Sequence, residues 1–335
     1  MHRLLIKSAL LASFAVFASS FSDIRAKSAD QTVSGTSTST LAYGGSIDDK
    51  PMSIGTCSKL VENVSLLKDG FQWTEGPAWD KTNKRWIFSD VMGDSEYAIT
   101  PEGELTTLRE KAGFPNGHAA KSDGSFVVAQ HDRTLNSASS DGGEFMLIAG
   151  SYRGDKLNSP NDVSIGADDS IYFTDPMFGI QGFGPEKAES ALGYAGVFRL
   201  TNGSLDLINK DLATPNGIAI TNDQQTLIVS DTATNSLYSI DLGSYEDQPL
   251  PAVKFAELSP VEGGGDGHGP DGLRVSSDNA IWASGKGGIN VLAQDGSKIC
   301  SIPFPNHVAN LSFGGEDSNL ILVTSADKLY TISLK

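Results

Sequence analysis

Six oxygen-bearing side chains recur along this chain in one kind of phrase. They are Glu75 in TEGPAW, Asn116 in PNGHAA, Asn161 in PNDVSI, Asn216 in PNGIAI, Asp271 in PDGLRV and Asn310 in ANLSFG. Two carboxylates and four amides that converge on one point form a ligand set for a hard cation, which takes oxygens in a flexible geometry. Glu75, Asn161, Asn216 and Asp271 are the strongest metal candidates, with water or substrate completing the shell. Ca²⁺ suits them best. Mg²⁺ or Mn²⁺ can use the same oxygens, whereas Zn²⁺ would ordinarily recruit His or Cys. A cation bound there could serve chemistry, or could merely clamp the surrounding elements.

The spacing says how these residues could meet. The six stand 41, 45, 55, 55 and 39 residues apart. Ten or eleven residues after each begins a short strand-like run: WIFSD, FVVAQ, IYFTD, LIVSD, IWASG and LILVT. A repeat of this length built from short strands indicates propeller blades, so the expected fold is all-β, a six-bladed β-propeller with an axial metal site. Each repeat reads as a strand, a turn, a second strand and usually a third, although TLNSASSDGG in the second repeat is a poor strand. The segment KLVENVSLL from Lys59 precedes the first repeat and is expected to complete the sixth blade, removing an open sheet edge. Pro115, Pro160, Pro215 and Pro270 each precede a marked residue and pre-set the approaching backbone. The competing reading makes each Asn-Gly or Asp-Gly a hairpin turn. It weakens because separate turn signals (KSDGS, TNDQQ, SSDNA) begin five residues after the marked residue.

The remainder of the chain bounds compartment and partners. Residues 1–26 combine a basic start, Met1 to Lys7, with a small apolar run, Ser8 to Phe21. That run is too short to span a bilayer, so it reads as a removable signal peptide and not a stable membrane anchor. Export to the periplasm or outside the cell is expected. Residues 27–56 read as a flexible low-complexity tether, and 57–335 as the propeller. In an oxidising compartment, Cys57 and Cys300 could form a disulfide; two buried thiols are the alternative. A net charge of −16 argues against phosphate-rich partners, and nucleic acid is not expected. No GxSxG elbow, HExxH helix or phosphate loop is present. Of the histidines, His118 and His268 lie near marked residues and could contact substrate or relay a proton, while His131 and His307 carry no assigned role. Asp175 and Asp231, which close second strands, are expected to cap turns or orient neighbouring amides.

At these residues the chain resembles the SMP-30/gluconolactonase family, in particular its bacterial gluconolactonase-like branch. The resemblance runs from Gln72 to Leu334 and is strongest at EGPAW, LNSPNDVSIGADDSIYFTDP, TPNGIAIT, GPDGLRV and NLSFGG. It implies a six-bladed propeller with one divalent metal in its funnel, held by Glu75, Asn216 and Asp271. Asn161 would bind metal or substrate, and Asp271 would also be the proton acceptor and donor. The implied activity is opening of a sugar-derived lactone, a small-molecule substrate, with the metal polarising the carbonyl and Asp271 activating water. Asn116, Asn161 and His118 would orient substrate hydroxyls. KLNSPND and FTDPMFG depart from the family pattern at Lys156, Met177 and Phe178, which leaves substrate identity open. Two rivals remain: the same site acting on aryl esters or phosphotriesters, and a non-catalytic propeller that binds ligands through its rim.

Overall fold

In the computed structural model, which describes residues 52–244 and 249–335, strands dominate and helical structure among the described residues is limited to short 3₁₀ turns. The strands form six antiparallel sheets of four, five of them ordered as the chain runs, arranged as a propeller, besides a small hairpin of Ser151–Tyr152 with Asp155–Lys156. The innermost strands are Thr74–Asp80, Pro115–Ala120, Val163–Ile165, Pro215–Ile220, Leu273–Val275 and Val308–Gly314, which open blades 1 to 6 in turn. Blade 6 takes its outermost strand from the other end of the chain. Val61–Asp69 pairs antiparallel with Lys328–Leu334, from Val61 opposite Leu334 to Asp69 opposite Lys328. The expected ring closure is therefore present.

Alternation along the second strands builds the core, because successive side chains leave a strand on opposite faces. In Arg85–Asp90, Trp86 and Phe88 pack with Leu322 and Leu329 of blade 6. Ile87, between them, joins Phe126 and Val128 of blade 2. The same division recurs between blades 3 and 4 and between blades 4 and 5. Each apolar layer is thus shared by two blades.

The structure differs from the sequence reading in three places. Every blade has a fourth strand, such as Leu105–Glu110, Met146–Ala149 and Val253–Glu257. These outer strands are largely exposed and so follow no common apolar pattern; Met146–Ala149 is apolar throughout, yet Met146 and Leu147 are exposed. The poor segment of the second repeat is a true third strand, Thr134–Ala138; its buried Asn136 is held by Gln130 rather than by apolar packing. Met52 to Thr56, which composition assigns to the tether, pack on blade 5: Met52 and Ile54 join its apolar cluster and the Thr56 amide donates to Ser301 O at 3.0 Å. A disulfide joins Cys57 to Cys300 beside that contact. The expected signal peptide and the rest of the tether lie outside the described residues.

Candidate axial metal centre

The marked residues are placed by two sets of side chains at fixed positions in the second strands. The first set is acidic. Asp90 accepts hydrogen bonds from the amides of Gln72 and Trp73, Asp175 from Asn158 and Ser159, and Asp231 from Ala213 and Thr214. In each case the two amides lie three and two residues before the marked residue, namely Glu75, Asn161 and Asn216. Asp175 and Asp231 therefore hold the chain that leads into the site, as expected of them. Burial pushes the Asp175 carboxyl up to about 7, against the opposing pull of its two amide donors and of Arg133.

The second set is hydroxylic. Ser230 Oγ accepts from the Gly217 amide at 2.7 Å and donates to the Asp271 carbonyl at 2.6 Å. Thr174 accepts from Asp162 and donates to the Asn216 carbonyl, and Ser89 donates to the Asn116 carbonyl. Each hydroxyl so ties one blade to the marked residue of the next. At four of the six marks the close approach of the next blade also needs the glycine that follows. A Cβ on Gly76, at φ +48°, would lie 2.1 Å from the Asn116 carbonyl oxygen.

With the backbones fixed, the side chains converge. Glu75, Asn116, Asn161, Asn216, Asp271 and Asn310 are all buried. Asp271 receives a hydrogen bond from Asn216, and Glu75 one from Asn310. Burial raises the pKa of both Glu75 and Asp271 well above the usual carboxylate range; the charge of Asp271 adds to the effect on Glu75, and that of Asp162 to both. A cation among them would relieve this stress. A further sign is Asn216: its Nδ2 donates to Thr232 Oγ1 at 3.1 Å, while its Oδ1 is buried without a partner. An amide oxygen buried without a hydrogen-bond partner near the Asp271 carboxylate is suited to ligate a hard cation. Among the described residues, no three His, Cys, Asp or Glu side chains form a metal-holding group on their own. Any cation here would rely on amide oxygens as well, so the donor set fits a hard divalent ion and not a soft one.

The histidines divide. His307 Nε2 lies 3.0 Å from Asp271 Oδ2, and its Nδ1 accepts from the His268 amide at 3.2 Å. This fixes the proton on Nε2, which donates to the carboxylate, and Trp73 stacks on the ring. Burial holds His307 neutral, down to about 4. His268 itself stands beside His307, with ring centroids 5.2 Å apart. His131 Nε2 accepts from Asn116 Nδ2 at 2.8 Å and its Nδ1 donates to the Phe183 carbonyl at 2.9 Å, which fixes the amide of Asn116. His118 has another task. Its ring bonds Gly76 O and Glu96 Oε1, both at 2.8 Å, and Glu96 is paired with Arg109. With both nitrogens engaged and the side chain fully enclosed, His118 braces blades 1 and 2 and does not present itself to substrate.

Comparison with known proteins places the fold in a family. Residues 73–327 match the SMP-30/gluconolactonase/LRE-like region. The chain belongs to this family. Among SMP-30/gluconolactonase proteins it is 28% identical over 297 residues to a gluconolactonase of Zymomonas mobilis, covering 78% of this chain and 79% of that one. It is 25% identical over 256 residues to the pentonolactonase of Haloferax volcanii, covering 75% and 81%. The structure of a gluconolactonase from Xanthomonas campestris superposes with a TM-score of 0.76 at 28% identity, covering 86% of this chain and 96% of that one. The family's propeller is thus the fold found here.

Sequence reasoning did not reach Asp162, Arg274, His131 or His307 as parts of the site. The hydroxyl set was visible in principle, since Ser89, Thr174, Ser230, Ser284 and Thr324 each stand 13 or 14 residues after a marked residue. His307, by contrast, lies 36 residues from Asp271 and carries no local signal.

Proposed function

We propose that the protein is a metal-dependent lactonase that opens a sugar-derived lactone to its hydroxy acid. The observation that carries this reading is the buried axial pair Glu75 and Asp271 beside the unpartnered oxygen of Asn216. Glu75, Asn161, Asn216 and Asp271 would hold one divalent cation, most suitably Ca²⁺. When bound, that cation supplies a positive centre for the charge that develops on the lactone carbonyl oxygen. Asp271 takes a proton from water as the water oxygen adds to the carbonyl carbon. The ring C–O bond then breaks, and the proton passes from Asp271 to the departing alkoxide. His307 holds Oδ2, so Oδ1 remains to meet the water. Asn116, oriented by His131, offers its carbonyl oxygen to a substrate hydroxyl, and Asn161 stands beside it. The leader read in residues 1–26 would deliver the protein to the periplasm or the medium, where the Cys57–Cys300 bond can persist.

The test pairs chelation with Asp271→Asn. Removal of divalent ions should lower the melting temperature and abolish hydrolysis of a sugar-lactone panel, and added Ca²⁺ should restore both. Asp271→Asn retains an oxygen for the cation but cannot accept the proton, so turnover should drop by about 10²- to 10⁴-fold while calorimetric metal binding stays measurable. Full activity in metal-free protein, or turnover in the variant within a few-fold of the parent, overturns the reading.

A further inference from the structure

One charged pair at the axis has no part in the scheme above. Asp162 follows the marked Asn161 of blade 3, yet its Oδ2 lies 3.2 Å from the Nδ2 of Asn310 in blade 6, the blade opposite. Its carboxylate therefore stands at the axis itself. Arg274, on the inner strand of blade 5, crosses to it from a third direction: Nη1 is 2.9 Å from Oδ2 and Nη2 is 3.4 Å from Oδ1. Nη1 is also anchored to the Leu273 carbonyl at 2.7 Å, which keeps the guanidinium close to its own strand. Asp162 is buried, and its amide is bonded to Thr174 Oγ1, so the carboxylate cannot retreat to solvent.

The charge of Asp162 is felt by both Glu75 and Asp271, so the three carboxylates act on one another across the axis. Arg274 is the cation bonded to this group among the described residues. It brings the formal charge of the group from −3 to −2, which matches a divalent ion. It also engages both Asp162 oxygens. The buried, unpartnered Asn216 Oδ1 marks where the ion would be received.

We infer that Arg274 is a built-in counter-ion that holds Asp162 out of the cation's shell and sets both the affinity and the charge preference of the axial site. The inference rests on the metal-binding reading above. Its consequence is counter-intuitive: loss of Arg274 tightens metal binding. The site is built for exchange and selectivity for divalent ions, not for maximal affinity. A guanidinium is needed because its planar fork spans both Asp162 oxygens, whereas an ammonium would hold only one.

Calorimetric titration of the chelator-treated full chain with Ca²⁺ and, separately, with Tb³⁺ tests this without recourse to activity. Arg274→Gln should bind Ca²⁺ at least tenfold more tightly than the parent and gain more for Tb³⁺ than for Ca²⁺. Arg274→Gln combined with Asp162→Asn should return Ca²⁺ affinity to within a few-fold of the parent, because the freed carboxylate is then absent. Unchanged or weaker Ca²⁺ binding in Arg274→Gln, in protein with a parental circular dichroism spectrum, overturns the inference. If Arg274→Gln does not fold, Arg274→Lys decides: it keeps the charge but leaves one Asp162 oxygen free, so Ca²⁺ binding should tighten modestly, and equal or weaker binding refutes. A parent that takes up neither ion would instead remove the metal reading itself.

Discussion

The crosslink between Cys57 and Cys300 offers a perturbation whose size can be worked from the structure. The bond spans 243 residues, nearly the whole propeller. In the chain-entropy treatment a closed loop of that length removes about 5 kcal/mol of freedom from the unfolded chain. That is comparable to the whole net stability of many domains. Both sulfurs are buried in the layer that also holds Val61, Val291, Ile302 and Phe304, so the bond adds packing as well as constraint. Replacing both cysteines by alanine should lower the unfolding free energy by about 2–5 kcal/mol, measured by urea titration of tryptophan fluorescence. The slope of the transition should steepen, because an uncrosslinked chain exposes more surface. Unfolded and reduced wild-type protein, refolded with its thiols blocked from pairing, should fall by a similar amount, which separates lost constraint from lost sulfur. A shift below about 1 kcal/mol would refute the reasoning, and would mean that the denatured chain already keeps its two ends together.

Two further predictions concern individual side chains. Gly76→Ala should destabilise the protein by more than about 2 kcal/mol and weaken metal binding, since the new methyl would meet the Asn116 carbonyl at 2.1 Å on a backbone that disfavours Cβ; thermal melts and calorimetry on one sample check this. His131 is neutral in the fold, its pKa lowered by burial from 6.5 to about 4. Between those values the unfolded chain gains a proton that the folded chain refuses, so this contribution is intact above pH 6.5 and is lost as pH falls toward 4, by about 3 kcal/mol at most. Urea unfolding from pH 7 to 4.5 should show a smaller loss in His131→Gln than in the parent, and parallel curves would refute the assignment.

The architecture was legible because the signal was periodic. Six phrases with an apolar run ten or eleven residues on leave few alternatives to a ring of blades, and Val61–Asp69 was recognisable as a strand without a repeat of its own. The outer strands were harder to read, because a strand such as Met146–Ala149 is apolar throughout yet largely exposed, and so carries no alternation. The six marked residues were legible as a set; their individual tasks were not. Asn116 and His118 stand two apart on one strand, yet one is held beside the axis and the other is locked between Gly76 and Glu96. That division depends on Glu96 and His131, which come from elsewhere in the chain. Asp162 was hidden in plain view within SPND, since only the closed ring brings Arg274 and Asn310 to it.

The composite sixth blade also bears on how the protein is made. Among the described strands, Val61–Asp69 leaves the ribosome first and its partner Lys328–Leu334 leaves last. No co-translational order can form that pairing before the 258 residues between Asp69 and Lys328 have been synthesised. Until then the first strand has an open edge, and so does the growing array of blades. Such edges recruit other chains as readily as their own. The shared apolar layers would let blades stack in sequence behind the advancing chain, but the circle can only be sealed once Lys328–Leu334 has been made. A premature stop that removes a single strand would therefore leave two complementary edges on every molecule. Those edges would favour open head-to-tail assemblies over a slightly smaller ring.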